Sequence, residues 1–319
     1  MLTRKLGRTG LEVAALCLGG NVFGWTIDEE TSFAVLDAYF AEGGNFIDTA
    51  DVYSTWVPGH VGGESEAIIG RWMSARRNRD RVVIATKIGS RMGTAANAQG
   101  LSRPYIMEEV EASLKRLQTD YIDLYLAHRD DQETPLDETL AAFNDLVRQG
   151  KVRYLGASNY SAARLQQSLQ ISQRHGYARY ECLQPRYNLV DREGYERELE
   201  PLCLEQELGV ITYSSLASGF LSGKYRPGKG LPDSPRARGV KERYMNAKGF
   251  KMLEQLDRAA TAHHAAVSQV TLAWIMARPG ITAPIASATS VGQMRELLGA
   301  VTLKLNAEDR TSLDRVSAP

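Results

Sequence analysis

Four residues that can take part in proton transfer follow short apolar runs in this sequence: Asp48, Tyr53, Lys87 and His128. A phenol has a pKa of about 10, so at neutral pH it is a poor acid for a carbonyl oxygen. A neighbouring ammonium group lowers that pKa by favouring the phenolate. A carboxylate holds the ammonium group in place, and an imidazole can orient the same substrate oxygen. Together, these four groups would protonate a carbonyl oxygen as a hydride reaches the carbon.

Each of the four residues also has a simpler interpretation. A lysine at a strand end is often a solvated cap, and a histidine after LYLA is often a core imidazole with its hydrogen bonds satisfied. Asp48 could form an Asx turn or cap a helix, and Tyr53 could be a packing residue. The chemical hypothesis therefore depends on a fold that brings the four side chains to one place.

The elements that would position them alternate regularly between strand-like and helix-like runs. The strand-like runs are VAALCLG (13–19), NFIDTA (45–50), RVVIATKIG (81–89), DYIDLYLAH (120–128), VRYLGASN (152–159), YECLQPRYN (180–188), VITYSSLA (210–217) and ITAPIASATS (281–290). The helix-like runs cover 29–44, 62–77, 103–117, 135–150, 161–176, 192–209, 249–264, 267–280 and 291–301.

Eight strand–helix units in a chain of 319 residues predict an α/β fold, a (β/α)8 TIM barrel. The structural alternative is a doubly wound sheet, which normally carries a G-x-G-x-x-G fingerprint after its first strand. The sequence there is LGGNVFG, which lacks that spacing. In a barrel, the carboxyl ends of all strands meet at one mouth, so the four reactive residues would lie together.

Two segments lie outside the repeating units. TRKLGRTGLEV (3–13), with a turn at Thr9-Gly10, predicts a short β-hairpin before the barrel. Residues 219–248 are rich in Gly, Pro and Arg and are too long for an ordinary barrel loop, so we interpret them as a lid or ligand clamp. We find no domain boundary and expect residues 1–319 to form a single domain.

Composition excludes several classes of protein. Lys plus Arg and Asp plus Glu number 38 each, so no nucleic-acid or anionic-membrane surface is expected. We find no run of about 18 apolar residues and no secretory signal. The three cysteines are widely spaced and predict neither a disulfide framework nor a zinc site. We therefore expect a cytoplasmic protein without a bound metal.

The motifs FIDTADVY, IATK, SLKRLQTDYIDLYLAHR, VRYLGASN, QPRYN and YSSLASGFLSGKY resemble, in order and spacing, those of the aldo-keto reductase family. The resemblance covers nearly the whole chain. It is closest to the long-chain bacterial group, which is similar to the β subunits of voltage-gated potassium channels. It implies a (β/α)8 barrel with an N-terminal hairpin, and reversible reduction of aldehydes and ketones with a nicotinamide cofactor, usually NADPH.

The resemblance also implies roles for individual residues. Tyr53 would be the general acid, Asp48 and Lys87 the pair that tunes it, and His128 the orienting histidine. The nicotinamide carboxamide would be held by Ser158, Asn159 and Gln184, with Tyr213 stacked on the ring. The other implied cofactor contacts are Gly19, Ser214, Leu216, Ser218, Lys224, Arg236, Ser287, Thr289, Gln293 and Glu296.

The chain departs from the family pattern near the expected 2′-phosphate and adenine. The last strand ends in Ser287-Ala288-Thr289-Ser290 where a cation is usual, and Leu297 replaces an asparagine. NADP is therefore the expected cofactor, with NAD as the open alternative. An alternative class of function is a cofactor-binding sensor or channel-associated regulatory module with little turnover.

The substrate is expected to be a small carbonyl or alcohol compound. Phe23, Trp25 and the loop STWVPGHVGGES (54–65) would line the mouth. Aromatic walls suit apolar or sugar-like compounds, although ordinary loop packing would also explain these residues. The sequence does not predict the oligomeric state.

Overall fold

The computed structural model describes residues 1–93 and 98–319. Eight parallel strands form a closed barrel in the order β10-β3-β4-β5-β6-β7-β8-β9, which confirms the predicted TIM barrel. The barrel strands are β3 (Cys17–Gly19), β4 (Phe46–Asp48), β5 (Val83–Ile88), β6 (Ile122–Ala127), β7 (Val152–Ser158), β8 (Tyr180–Gln184), β9 (Gly209–Thr212) and β10 (Ile281–Ala286). Most of their residues are buried, which explains why they appear in the sequence as continuous apolar runs.

The N-terminal hairpin is also confirmed. β1 (Thr3–Lys5) pairs antiparallel with β2 (Glu12–Ala14). The turn between them approaches the start of β9 so closely that a Cβ on Gly7 would lie 2.6 Å from the Gly209 nitrogen. The Arg4 guanidinium donates to the Ile281 carbonyl at the start of β10. The hairpin therefore covers the amino-terminal end of the barrel, away from the mouth.

One predicted strand was wrong in its extent. We expected residues 13–19 to form a single strand, but Val13 and Ala14 belong to the hairpin and only Cys17–Gly19 to the barrel. The chain bends at Ala15 and Leu16, which are as buried as their neighbours. An unbroken apolar run therefore concealed the bend.

The helices surround the barrel. Within the described residues they are α1 (Glu29–Ala41), α2 (Glu64–Arg76), α3 (Arg103–Leu117), α4 (Leu136–Arg148), α5 (Ala162–His175), α6 (Glu193–Glu196), α7 (Leu199–Glu205), α8 (Ala237–Tyr244), α9 (Ala247–Ala262), α10 (Val267–Met276), α11 (Val291–Leu298) and α12 (Ala307–Val316). Two predictions need correction. The helix predicted over 192–209 is divided into α6 and α7, and α12 follows residues 291–301, which the sequence predicts to be the last helix.

The division of the 192–209 helix has a local cause. Pro201 has no amide hydrogen, and its ring would clash with the carbonyl oxygen four residues earlier in a continuous helix. α6 ends at Glu196, and α7 begins at Leu199 with Pro201 in its first turn, where a missing donor costs nothing.

Residues 219–248 pass beside the barrel mouth. The segment begins within a short 3-10 helix, Ala217–Ser222, and contains α8. Ser234, Pro235 and Arg236 border the cavity described below, so the segment lies where a lid or clamp would have to lie.

In the part of the chain that the structure describes, no helix has the length and apolar character needed to cross a membrane. Cys17, Cys182 and Cys203 are free thiols in buried positions.

Candidate active site

A cavity of about 970 Å³ opens at the carboxyl ends of the barrel strands. It brings together every predicted site residue except Lys87, which contacts two of the lining residues from behind. The predicted residues that line it are Gly19, Asp48, Tyr53, His128, Ser158, Asn159, Gln184, Tyr213, Ser214, Leu216, Ser218, Lys224, Arg236, Ser287, Thr289, Gln293 and Glu296.

The backbone after β4 turns Tyr53 back over Asp48. The Thr49 amide donates to the Ala85 carbonyl at 2.8 Å, so the strand pairing extends past Asp48. The Asp51 amide donates to the Lys87 carbonyl at 3.2 Å, and the Tyr53 amide then closes a turn onto the Ala50 carbonyl. Tyr53, five residues after Asp48 in the sequence, thus has its hydroxyl beside Asp48 at the end of β4.

Lys87 joins the acid and the phenol. Its Nζ lies 2.8 Å from Asp48 Oδ2 and 2.9 Å from the Tyr53 hydroxyl oxygen, and it donates to the Thr49 carbonyl at 2.6 Å. The Tyr53 hydroxyl is also within 3.3 Å of Asp48 Oδ2. Lys87 is 0% exposed and Asp48 2% exposed. The ammonium group is therefore shielded from solvent, paired with the Asp48 carboxylate and held by three hydrogen-bond acceptors.

The electrostatic balance keeps Tyr53 protonated. Burial of the hydroxyl and the Asp48 carboxylate raise the pKa of Tyr53 above its ordinary value, and Lys87 offsets only part of that rise. Lys87 thus acts on the phenol in the expected direction, but burial and Asp48 outweigh it. Burial alone would lower the pKa of Lys87, but Asp48 and Tyr53 outweigh it and raise that pKa. At neutral pH Tyr53 is therefore a phenol and Lys87 an ammonium group.

His128 faces the ring of Tyr53 across the cavity. The two ring centroids are 6.2 Å apart in an edge-on arrangement. Burial, with help from the charges of Lys87 and Arg129, lowers the pKa of His128 well below its ordinary value. The imidazole is therefore neutral at physiological pH. Ser90 Oγ lies 3.3 Å from its Nδ1, which leaves Nε2 for a ligand.

The amide side chains at the mouth are bonded to each other and to the barrel. Gln184 Nε2 donates to Asp48 Oδ1 at 2.7 Å, and Ser158 Oγ donates to the Gln184 carbonyl. Asn159 donates to the His128 carbonyl at 2.8 Å and accepts from the Tyr213 hydroxyl at 2.7 Å. Four of the predicted cofactor contacts thus form one cluster next to the acid–phenol–ammonium group.

The loop after β9 has several residues in the left-handed conformation. Ser214, Ala217, Ser218 and Gly219 all have positive φ, between 48° and 93°. The amides of Ala217 and Gly219 donate to the Ser214 and Leu216 carbonyls, so these residues close tight turns beside the cavity. The backbone of a non-glycine residue is strained in the left-handed conformation, and strained residues cluster at functional sites. The loop therefore borders the cavity with a strained backbone at Ser214 and Ser218.

Two cations border the same part of the cavity. Partial burial and the neighbouring Arg236 lower the pKa of Lys224, and burial lowers that of Arg236. Among the described residues, neither side chain forms an ion pair or donates a hydrogen bond. The Arg236 guanidinium instead lies over the Trp25 ring, 5.0 Å from its centroid. Two cations that line a cavity and have no carboxylate partner in the described part of the chain fit an anionic ligand.

The far end of the cavity, after β10, has hydroxyls and an acid. A Cβ on Gly19 would lie 2.6 Å from Ser287 Oγ, so glycine allows the close approach of β3 and β10. The amide and hydroxyl of Thr289 both donate to Gln293 Oε1, and Ser290 caps α11. Glu296 accepts from Ser268 at 2.5 Å.

Sequence reasoning missed several lining residues. These are Asn21, Val22, Thr26, Arg186, Ser215, Gly219, Ser222, Ser234, Pro235, Ser268, Ile285 and Ala286. Arg186 follows Gln184 in the quoted QPRYN motif, so its position at a strand exit was a usable signal. Ser268 lies in α10, outside the strand ends, and nothing in its local sequence indicates the cavity.

Comparison with known proteins agrees with this geometry. The sequence model of the aldo/keto reductase family matches residues 15–318, and this chain belongs to that family. It is 36% identical over 308 residues to the uncharacterized oxidoreductase YrpG of Bacillus subtilis (strain 168), covering 95% of this chain and 92% of the relative. It is 34% identical over 343 residues to the aldo-keto reductases AFTS1 and AMT2 of Alternaria alternata, covering 98% of this chain and 90% of each.

Family membership establishes the reaction class. Aldo-keto reductases reduce carbonyl groups of small molecules with NAD(P)H, and this chain is an oxidoreductase of that class. The roles of single residues, the choice between NADP and NAD and the substrate are finer questions.

Proposed function

We propose that residues 1–319 form a single-domain, cytoplasmic, NADP(H)-dependent reductase that converts aldehydes and ketones reversibly to alcohols. The observation that carries the proposal is the buried contact of Lys87 Nζ with the Tyr53 hydroxyl and Asp48 at the floor of the cavity. A buried ammonium group held against a phenol serves proton transfer better than it serves stability, because buried ion pairs contribute little net stability.

Tyr53 is the general acid in this proposal. Its hydroxyl is protonated at neutral pH and lies at the cavity, so it can donate to a carbonyl oxygen. Lys87 then stabilises the phenolate that forms, and Asp48 holds Lys87 charged and in place. Alcohol oxidation uses the same groups in reverse, with the phenolate as the base.

His128 orients the substrate. Because its imidazole is neutral, Nε2 can donate to or accept from the substrate oxygen without adding charge to the site. The rings of His128 and Tyr53 lie edge-on with centroids 6.2 Å apart, which supports a role for both groups at one substrate oxygen. Because the neutral imidazole carries no acidic imidazolium proton, Tyr53 remains the proton donor in this proposal.

The cofactor supplies the hydride when it is bound. Ser158, Asn159 and Gln184 would hold its carboxamide, and Tyr213 would stack on the nicotinamide ring. Lys224, Arg236 and the left-handed backbone after β9 would hold its pyrophosphate. The remaining predicted contacts, Gly19, Ser214, Leu216, Ser218, Ser287, Thr289, Gln293 and Glu296, would line the rest of the dinucleotide.

The preference for NADP over NAD is proposed to be modest. The amino terminus of α11 and the hydroxyls of Thr289 and Ser290 suit a 2′-phosphate. However, both Thr289 donors are already bonded to Gln293. Arg295 is exposed on α11 and does not border the cavity among the described residues.

The mouth suits apolar or sugar-like carbonyl compounds. Trp25 and Trp56 pack edge to face with centroids 5.3 Å apart, and Trp56 is also 6.2 Å from the Tyr53 ring. Trp56 is 47% exposed, which leaves ring surface for a substrate. Aromatic surfaces of this kind bind both apolar groups and the carbon faces of sugars.

The test is an activity screen with NADPH and with NADH over aldehydes, ketones and sugar-derived carbonyl compounds, including the reverse alcohol reactions. We expect turnover with at least one carbonyl class and a higher rate with NADPH at equal concentrations. Tight cofactor binding without turnover on any of these compounds would instead support a cofactor-binding sensor or regulatory module.

A further inference from the structure

One hydrogen bond crosses the barrel mouth and links the cofactor side to the proton donor. Gln184 ends β8, and Asp48 ends β4, on the opposite side of the closed barrel. Gln184 Nε2 nevertheless lies 2.7 Å from Asp48 Oδ1, and both residues are 2% exposed. A dry, charge-assisted bond of this length is among the stronger kinds of hydrogen bond in proteins.

The two oxygens of Asp48 have different partners. Oδ1 accepts from Gln184, and Oδ2 accepts from Lys87 at 2.8 Å and faces the Tyr53 hydroxyl at 3.3 Å. Among the described residues, Gln184 is the hydrogen-bond donor to Oδ1. The orientation of the carboxylate toward Lys87 and Tyr53 therefore depends on the amide on the other side.

Gln184 is itself held in place and still available to a ligand. Ser158 Oγ donates to its carbonyl at 2.9 Å, which fixes the backbone at the end of β8. Its side chain lines the cavity, where the amide oxygen and the second amide hydrogen have no other partner among the described residues. One side chain can thus contact a cofactor and Asp48 at the same time.

We propose that Gln184 is a positioning residue for the proton donor, in addition to its expected contact with the cofactor, and that it acts on Tyr53 through Asp48. Its amide fixes the Asp48 carboxylate and shares its negative charge. This inference rests on the proposed function, because it assigns Gln184 a second role in the same reaction.

The consequence for the reaction follows from the charges that face the two groups. The groups that face Tyr53 are Asp48, Lys87, Arg236 and His128. The thiols of Cys17 and Cys182 also lie near Asp48. Without the Gln184 donor, Asp48 Oδ1 is buried and unsatisfied. More negative charge then acts on the Tyr53 hydroxyl, which makes its proton harder to remove.

The contact itself is tested without turnover. Urea unfolding of the cofactor-free protein is compared for wild type, Gln184→Met, Asp48→Ala and the double variant. Direct contact predicts that Gln184→Met costs much less stability once Asp48 is replaced. If Asp48→Ala does not fold, Asp48→Asn takes its place, since its oxygen must face the Lys87 ammonium group and its amide nitrogen cannot accept from Gln184 Nε2. In the control cycle, Asn159→Ala and Asp48→Ala should be additive, because Asn159 bonds His128, Ser158 and Tyr213 and makes no hydrogen bond to Asp48.

The link to Tyr53 is tested by pH profiles of alcohol oxidation at saturating cofactor. We expect the rising limb, which reports formation of the phenolate, to move to higher pH by roughly half a unit or more in Gln184→Met. Asn159→Ala should weaken cofactor binding without moving that limb. An additive unfolding cycle, or a Gln184→Met profile that superimposes on wild type, would overturn the proposal. Absence of turnover in the wild type would contradict the proposed function, and the unfolding cycle would still decide the contact.

Discussion

The Lys87 ammonium nitrogen lies 2.9 Å from the Tyr53 hydroxyl oxygen, and Lys87 is entirely buried. Its other contacts are the Asp48 carboxylate and the Thr49 carbonyl. Burial and Asp48 raise the pKa of Tyr53, and Lys87 opposes both. The ammonium group therefore limits how basic the phenolate becomes, and the two residues are expected to act as a unit.

Replacing Lys87 by methionine should impair turnover about as severely as removing the phenol hydroxyl. Without the ammonium group, the phenolate that forms on proton donation is buried beside the Asp48 carboxylate and has no counter-charge. The combined change Lys87→Met with Tyr53→Phe should cost little more than either alone, because groups that act as a unit are non-additive. Steady-state rates of the three variants measure this directly.

The same substitution has a cost in stability that must be separated from the effect on the reaction. Removing one partner of a buried ion pair costs about 3–5 kcal/mol. Thermal unfolding and cofactor binding identify the folded fraction, and rates are compared for folded protein only. Losses that simply multiply in the double variant would show that Lys87 and Tyr53 work independently.

Asp51 offers a contrast within the same turn. It is 0% exposed, and burial, followed by the charges of Glu66 and Glu109, raises its pKa well above the ordinary value. A neutral carboxyl group is close in shape and charge to an amide. Asp51→Asn should therefore change turnover only mildly, although Asp51 lies between Asp48 and Tyr53 in sequence.

The stability of Asp51→Asn should depend on pH in a defined direction. Because the folded-state pKa of Asp51 is raised, the wild type loses stability as the pH rises above the unfolded value of about 3.9. Asparagine does not titrate, so the variant should gain stability relative to wild type between pH 4 and pH 7. Unfolding midpoints across this range measure the difference, and a constant difference would contradict a neutral Asp51.

His128 should make the protein sensitive to mild acid. Its folded-state pKa is lowered, so below about pH 6.5 the unfolded chain binds a proton that the folded chain rejects. The wild type should lose stability as the pH falls from 7 to 5, and His128→Asn should lose less. His264→Asn, at an exposed position on a turn, is the matched control and should follow the wild type. Parallel curves for all three proteins would contradict a buried, neutral His128.

Cofactor preference is expected to depend on position 289. Lys224 and Arg236 border the part of the cavity assigned to the phosphates that both cofactors share. Arg236→Met should therefore weaken the binding of NADPH and of NADH to a similar extent. Thr289→Arg adds a cation where the 2′-phosphate is expected and should increase the preference for NADPH. Dissociation constants can be read from quenching of tryptophan fluorescence, since Trp25 and Trp56 line the cavity. Equal or tighter binding of NADH by the wild type would overturn the NADP assignment.

Much of the barrel could be read from the sequence because its strands are short, buried runs that end in polar residues. Asp48, Lys87, His128 and Gln184 all follow such runs, and a closed barrel necessarily brings strand ends together. The bend at Ala15 and Leu16 could not be read, because both sides of it are buried. α12 was missed because Leu313 is its buried residue and the helix has no apolar stripe.

The contacts inside the site were harder to predict than its members. Gln184 and Asp48 are 136 residues apart in sequence, and no local pattern indicates that their side chains meet. The net effect on Tyr53 also depends on burial, which outweighs the nearby ammonium group. Residue types at strand ends therefore predict which groups belong to the site. The distances between these groups and the burial of each one are known only from the folded structure.

The most direct test of the account is the rate of carbonyl reduction by Tyr53→Phe at saturating cofactor. The substitution keeps the ring, its contacts with Trp56 and His128 and the cofactor contacts, and it removes only the hydroxyl. If Tyr53 is the proton donor, the rate should fall by about 10²–10⁴-fold while the dissociation constant of the cofactor stays close to that of the wild type. A folded Tyr53→Phe protein that reduces its substrate at a near-normal rate would contradict the central claim.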